Sequence, residues 1–213
     1  MPYVETRILA KGRKSGDDRS PEMNEFMEML VAQGFPPYTE MARRGNGWSV
    51  IQTTATAGLV VRPSTVAAIT IFNNEPVGGK SYIVDRIFSH ALVAGGEQGY
   101  GSLWACVHPA GMTKPTADIA GSAVNLVGDY GRTYAGTAVV DVGATVVDNG
   151  WFPWGTCALP PTALPGSAIS VDVAGRLIVP PTAALSLQVV TSVNDETYCS
   201  GAHWFEEQLT LGT

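Results

Sequence analysis

The chain has 213 residues, 45% of them hydrophobic and 15% charged, with 24 Gly and 14 Pro. That length suits one large domain or one domain with an appendage, and the charged share lies well below the usual quarter. No apolar run approaches the ~18 residues of a membrane span, and the N-terminus lacks the apolar stretch of a secretory signal, so no membrane partner and synthesis in a cytoplasm are expected.

The charges are unevenly spread. Residues 1–47 hold seven basic and seven acidic side chains, so the whole net charge of −6 sits in the remainder. An acidic body repels phosphate backbones, which argues against direct contact with nucleic acid. The cluster Lys11, Arg13 and Lys14 is the one exception, and beside Asp17 and Asp18 it reads as a solvated loop. Cys106, Cys157 and Cys199 cannot all pair within one chain and lack the spacing of a zinc site. Cys106 and Cys199 sit in strand-like runs beside Trp104 and Tyr198 and are expected as buried free thiols.

The first element is a helix over about 21–33. Ser20 can cap it, Pro21 suits its first position, and Met23, Phe26, Met27, Leu30 and Val31 recur at helical spacing. Glu22, Glu25 and Glu28 favour its positive end, and Gly34 with Pro36-Pro37 stops it. So short a helix is not stable alone in water, so its apolar stripe must dock on the body or on a neighbouring subunit. Residues 1–47 therefore read as an N-terminal arm and 48–213 as the main domain.

From Trp48 onward the pattern is strand and turn. Strands are predicted at 48–54, 66–72, 82–93, 102–107, 123–127, 137–142, 145–147, 168–173, 176–179, 185–192 and 197–209, all rich in Val, Ile, Thr and aromatics. Turn formers separate them, with Asn149-Gly150 and Ala174-Gly175 as the tight-turn candidates. Ile169, Val171 and Val173 share one face while Ser170 and Asp172 share the other. Leu185, Leu187, Val189 and Thr191 alternate in the same way with Ser186, Gln188, Val190 and Ser192. One face should pack, and the other should be polar or lie on a neighbour. Many strands without intervening helices exclude a parallel α/β sheet, so the expected fold is all-β, an antiparallel two-sheet β-sandwich of the jelly-roll kind. Pro160-Pro161-Thr162-Ala163 and Pro180-Pro181-Thr182-Ala183 share only a turn, and 159–166 reads as a stiff loop.

Chemistry is harder to find. Gly78-Gly79-Lys80-Ser81 resembles the end of a phosphate-binding loop, but Asn74 stands where that motif needs glycine, and a strand follows it instead of a helix. A hairpin turn is the better reading. Gly95, Gly96, Gly99 and Gly101 lack the setting of a dinucleotide site. His90, His108 and His203 show no metal spacing, so no metal and no cofactor are expected. His203 with Glu206 and Glu207 could form an imidazole–carboxylate pair, though an edge-facing polar pair in a strand is the plainer reading. Asp141, Asp148, Asp172, Glu206 and Glu207 could supply two carboxylates for glycoside hydrolysis, yet nothing selects two of them. Trp151, Phe152 and Trp154 form an aromatic loop after Asn149-Gly150. It could stack on a sugar, plug the end of the sandwich or anchor a subunit contact, and packing or contact is favoured.

The segments 137–155 (TAVVDVGATVVDNGWFPWG) and 171–181 (VDVAGRLIVPP), with the closing His203-Trp204-Phe205-Glu206, look like bacteriophage virion proteins. The likeness spans about 66–209 and rests on turn–strand phrases. It implies a single jelly roll in a phage particle, as a capsid decoration or other surface component, in a homo-oligomer with a trimer as the first expectation. Its partners would be copies of itself and other virion proteins, and its place the virion, after synthesis in the host cytoplasm. Phe26, Met27, Leu30, Trp151, Phe152 and Trp154 are then the candidate contact residues. No enzymatic activity is expected. The alternative is a carbohydrate- or receptor-binding sandwich at a tail or fibre tip, with glycan as ligand.

Overall fold

The computed structural model describes residues 39–93, 99–119, 122–127, 134–159, 167–192 and 196–209. The chain divides after Thr39 into two units, and the second, Glu40–Thr213, carries the fold described below. The predicted helix over 21–33 lies outside the described residues. A short helix that the sequence reading did not anticipate, α1 (Thr39–Arg43), precedes the first strand.

Eleven strands follow among the described residues: β1 (Gly47–Ile51), β2 (Thr56–Ala57), β3 (Ile69–Phe72), β4 (Ser81–Val93), β5 (Gly99–His108), β6 (Val124–Asn125), β7 (Val139–Val142), β8 (Phe152–Leu159), β9 (Ala168–Val179), β10 (Ala184–Thr191) and β11 (Thr197–Glu207). They form two sheets, in the orders β6-β1-β11-β4-β9 and β7-β3-β10-β5-β8, with β2 attached to β11. The eight principal strands pair from the outside in: β1 with β11, β3 with β10, β4 with β9 and β5 with β8, all antiparallel. That nesting is a long two-stranded ribbon rolled over on itself, the double Greek key of a jelly roll. The expected fold class is therefore the observed one.

Local differences have physical reasons. The stretches 168–173 and 176–179, read as two strands around a turn, are one strand. Ala174 and Gly175 do take positive φ, at 51° and 76°. The chain does not reverse there, because β4 pairs with β9 on both sides of the kink, Arg86 opposite Asp172 and Val84 opposite Leu177. Residues 173–176 bulge outward, and the Arg176 guanidinium donates back to the carbonyls of Val173 and Asp172, at 2.9 and 3.0 Å, closing the bulge. Stretch 145–147 makes only an isolated bridge, Thr145 to Val66. The Trp-Phe-Pro-Trp run, read as a loop, opens β8.

The main core lies between the sheets. Trp48, Tyr82, Ile87, Leu103, Leu185, Leu187, Tyr198 and Trp204 are all buried there, each contributing about 1.5–3 kcal/mol. Mid-strand Gly201 on β11 has a packing reason: a Cβ there would collide with the Val50 carbonyl and the Phe88 ring. A second, smaller core covers the outer face of the β10 sheet. Ala67, Cys106, Ala144, Val146 and Trp151 pack there with Trp104 and Met112, and Phe72, Val139 and Ala184 pack beside them. Loop residues around 64–67, 112 and 144–151 thus form a third layer. The face of β10 expected to be polar or to lie on a neighbour is buried within the chain itself, from Ala184 through Val189.

One end of the sandwich is tied by Asn73. Its amide donates to the carbonyls of Lys80 at 2.8 Å and Val179 at 2.9 Å, and its Oδ1 accepts from the Glu75 amide. Its backbone carbonyl accepts from Thr182. This wholly buried side chain joins the end of β3 to the start of β4 and the end of β9. Asn73→Ala leaves two carbonyls without donors and is expected to cost about 2–4 kcal/mol. A urea midpoint equal to wild type would show that the tie contributes nothing.

Candidate functional site

The predicted contact residues separate in the structure. Phe26, Met27 and Leu30 lie outside the described residues. Trp151 is only 4% exposed, packs on Cys106 and Val146 in the second core, and donates its indole N–H to the Ser64 carbonyl at 3.0 Å. Its ring is used internally, the packing alternative among those the sequence leaves open for this run. Phe152 is 43% exposed, with its ring 5.6 Å from that of Trp154. Trp154 is half-buried against the main core, and the Arg176 guanidinium lies 5.2 Å from its ring centroid. The run therefore splits into one core anchor and one surface pair.

One run of polar residues that the structure brings together is not visible as a group in the sequence. On the outer face of the β10 sheet, Thr70 Oγ1 lies 2.9 Å from Ser186 Oγ, which lies 2.8 Å from His108 Nε2. His108 Nδ1 lies 2.8 Å from Asn149 Oδ1. Since Asn149 presents a carbonyl oxygen, Nδ1 carries the proton, Nε2 accepts from Ser186, and Ser186 accepts from Thr70. A hydroxyl, an imidazole and an orienting carbonyl in this order resemble nucleophile, base and orienter. The burial decides otherwise for this array. Ser186 and Thr70 have no exposed surface, so no substrate carbonyl can reach the hydroxyl. The array instead ties β3, β10, β5 and the loop before β8 into one unit. A hollow of about 460 Å³ opens beside it, between His108, Asn149, Met112, Val146 and Val147.

A second cluster surrounds Glu206, which is 3% exposed. One carboxylate oxygen accepts from the Tyr134 hydroxyl at 2.5 Å and the Trp204 indole at 3.4 Å. The other lies 3.7 Å from the Lys80 ammonium. Burial pushes the Tyr134 and Tyr82 hydroxyls well above the usual phenol range, so both remain protonated donors.

The remaining candidates disperse. His203 points to the outer face of β11 and Glu206 to the inner one, so they form no catalytic pair. Moreover β11 is central, between β1 and β4, so its polar residues do not face a sheet edge. Asp148 pairs with Arg62 at 2.6 Å, which holds its carboxyl below the usual range. Asp172 pairs with Arg86 at 2.7 Å on a different sheet. Gly78-Gly79 is a turn before β4, with Gly78 at φ 84°, but it closes no hairpin, because β3 and β4 lie in different sheets. Cys106 and Cys199 are buried free thiols, also as expected, while Cys157 is half-buried; burial raises all three.

No protein-family model matches the chain, and no curated protein matches it.

Two outcomes follow from this geometry. Ser186→Ala leaves His108 Nε2 without a donor and is expected to cost about 1–3 kcal/mol, read as a lower urea midpoint. His203 packs on the Phe88 ring at 4.9 Å with its Nδ1 buried and unpartnered. Burial, reinforced by Arg86, lowers its folded pKa below the ordinary 6.5. The unfolded chain then binds more protons there, so stability falls as pH drops from about 6.5 towards the folded value. His203→Gln is expected to flatten that part of the midpoint-against-pH curve, and parallel curves would assign the decline to other groups.

Proposed function

We propose that the protein is a virion structural component, a capsid decoration or other surface element that acts by self-association and by docking on the particle. The supporting observation is the apolar surface that the jelly roll leaves outside. Val60, Val61, Val66 and Val147 are 55%, 65%, 47% and 69% exposed, and the Val66–Thr145 bridge draws the two loops carrying them together. An aliphatic strip on a charge-poor domain gains about 25 cal/mol per Å² when a partner covers it. A closed symmetric oligomer covers the same strip on every copy, with a trimer as the first expectation. The resemblance of 137–155 and 171–181 to phage virion proteins supports the same reading.

A second reading, recognition of a glycan or receptor, is favoured by the Phe152–Trp154 pair, an exposed ring beside a half-buried one with Arg176 behind it. Aromatic faces with a nearby donor suit sugar rings.

Mass photometry of the full chain at micromolar concentration tests the first reading. The expected result is an oligomer that Val61→Asp together with Val147→Asp converts to a folded monomer. A wild-type monomer would overturn it.

A further inference from the structure

The fold buries some polar groups without fully using them. Glu206 stands out: a buried carboxylate costs several kcal/mol unless paired and hydrogen-bonded, yet among the described residues one of its oxygens has only a distant ammonium. The 3.7 Å from Lys80 is too long for a hydrogen bond. Lys80 is half exposed.

Between and around these two groups lies a hollow of about 220 Å³, bounded by Trp48 and Asn46 at the start of β1, Asn125 of β6, and Gly136. Gly136 is fitted to it, since any Cβ there would collide with the Tyr134 hydroxyl and crowd Glu206. Tyr134 and Trp204 fix one carboxylate oxygen, so the other is held in place as an acceptor. Asn125 is likewise fixed, donating to the Gly45 carbonyl at 2.8 Å and accepting from Val127. The acceptor side of the wall is therefore preorganised, and the Lys80 ammonium, opposite in charge, stands 3.7 Å from it.

We propose that this hollow is a binding site for a small neutral polyhydroxyl ligand of monosaccharide size, whose adjacent hydroxyls donate to Glu206 and accept from Lys80. Adjacent sugar hydroxyls supply donor and acceptor at that spacing, and a neutral ligand leaves the Glu–Lys charges balanced. The volume is below the ~300–1,000 Å³ of sites for drug-sized molecules, which limits the ligand to about one ring. This deepens the recognition reading and does not depend on the assembly reading.

Titrating the full chain with D-glucose, D-galactose, N-acetylglucosamine and glycerol, with ethanolamine as a cationic probe, tests it through tryptophan fluorescence and amide chemical shifts. Saturable binding of at least one neutral probe is expected, weakened about tenfold to a hundredfold by Glu206→Gln and by Lys80→Met. Lys80 is exposed enough that Lys80→Met keeps the test valid should Glu206→Gln unfold. No saturable binding of the neutral probes, binding of ethanolamine alone, or equal affinity in the Lys80→Met variant would overturn the site. Sugar binding that Phe152→Ala abolishes and Lys80→Met leaves intact would also overturn it, while upholding recognition at the aromatic pair.

Discussion

The burial of β10 on both faces is the constraint around which the rest of the domain is arranged. Its inward side chains, Leu185, Leu187 and Val189, meet the other sheet. Its outward ones, Ala184, Ser186 and Gln188, lie under the loop layer. A central strand enclosed in this way can carry polar atoms only where partners meet them, because a buried hydroxyl or imidazole without a hydrogen bond costs about 1–3 kcal/mol. The run Thr70–Ser186–His108–Asn149 meets that demand and reaches from the sheet into the loop that covers it. Trp151 clamps the same loop from the other side through Ser64. The covering layer and the sheet are thus held by directional bonds as well as by apolar contact.

This arrangement also explains which parts of the fold the sequence made legible. Alternation in β9 marks its two faces correctly, since one looks into the core and the other is exposed. In β10 the same alternation identifies the faces but not what covers the second, because Ser186 and Gln188 look like solvent-facing residues until the loops that enclose them are in place. Ala174-Gly175 carries a true local signal, two left-handed residues. Whether they produce a hairpin or a bulge depends on β4 pairing on both sides, and that partner is distant in the chain. Trp-Phe-Pro-Trp was misread for a related reason: Pro153 suggests a loop, yet it fits an edge strand, where no further ladder bond is needed.

The candidate sites were less visible than the fold. Glu206 reads from the sequence as a neighbour of His203 and as one of five carboxylates, but positions an odd step apart in a strand face opposite ways. Its actual companions, Tyr134 and Lys80, come from far along the chain. His108, Ser186 and Asn149 have no sequence spacing in common, and only the outside-in pairing of a jelly roll brings them together. The aromatic run has the opposite fault of being too conspicuous, since Trp151, one of its two largest rings, anchors the chain's own interior.

The loop layer also changes what the low charge content means. A body with few charges must put its apolar surface somewhere, and part of it goes into the second core, where Trp151, Val146 and Ala67 are satisfied within one chain. Composition by itself therefore argues less for assembly than the placement of what remains outside. Part of what remains lies on the two bridged loops of that layer, as Val60, Val61, Val66 and Val147, while Val77, Leu92, Val93 and Tyr100 are exposed elsewhere. The Arg62–Asp148 pair spans the same loops and, being exposed, adds little to stability, but it holds them side by side. A partner meeting that strip would find it already formed, so the entropy of ordering the loops is met by the folding of the monomer before any contact is made.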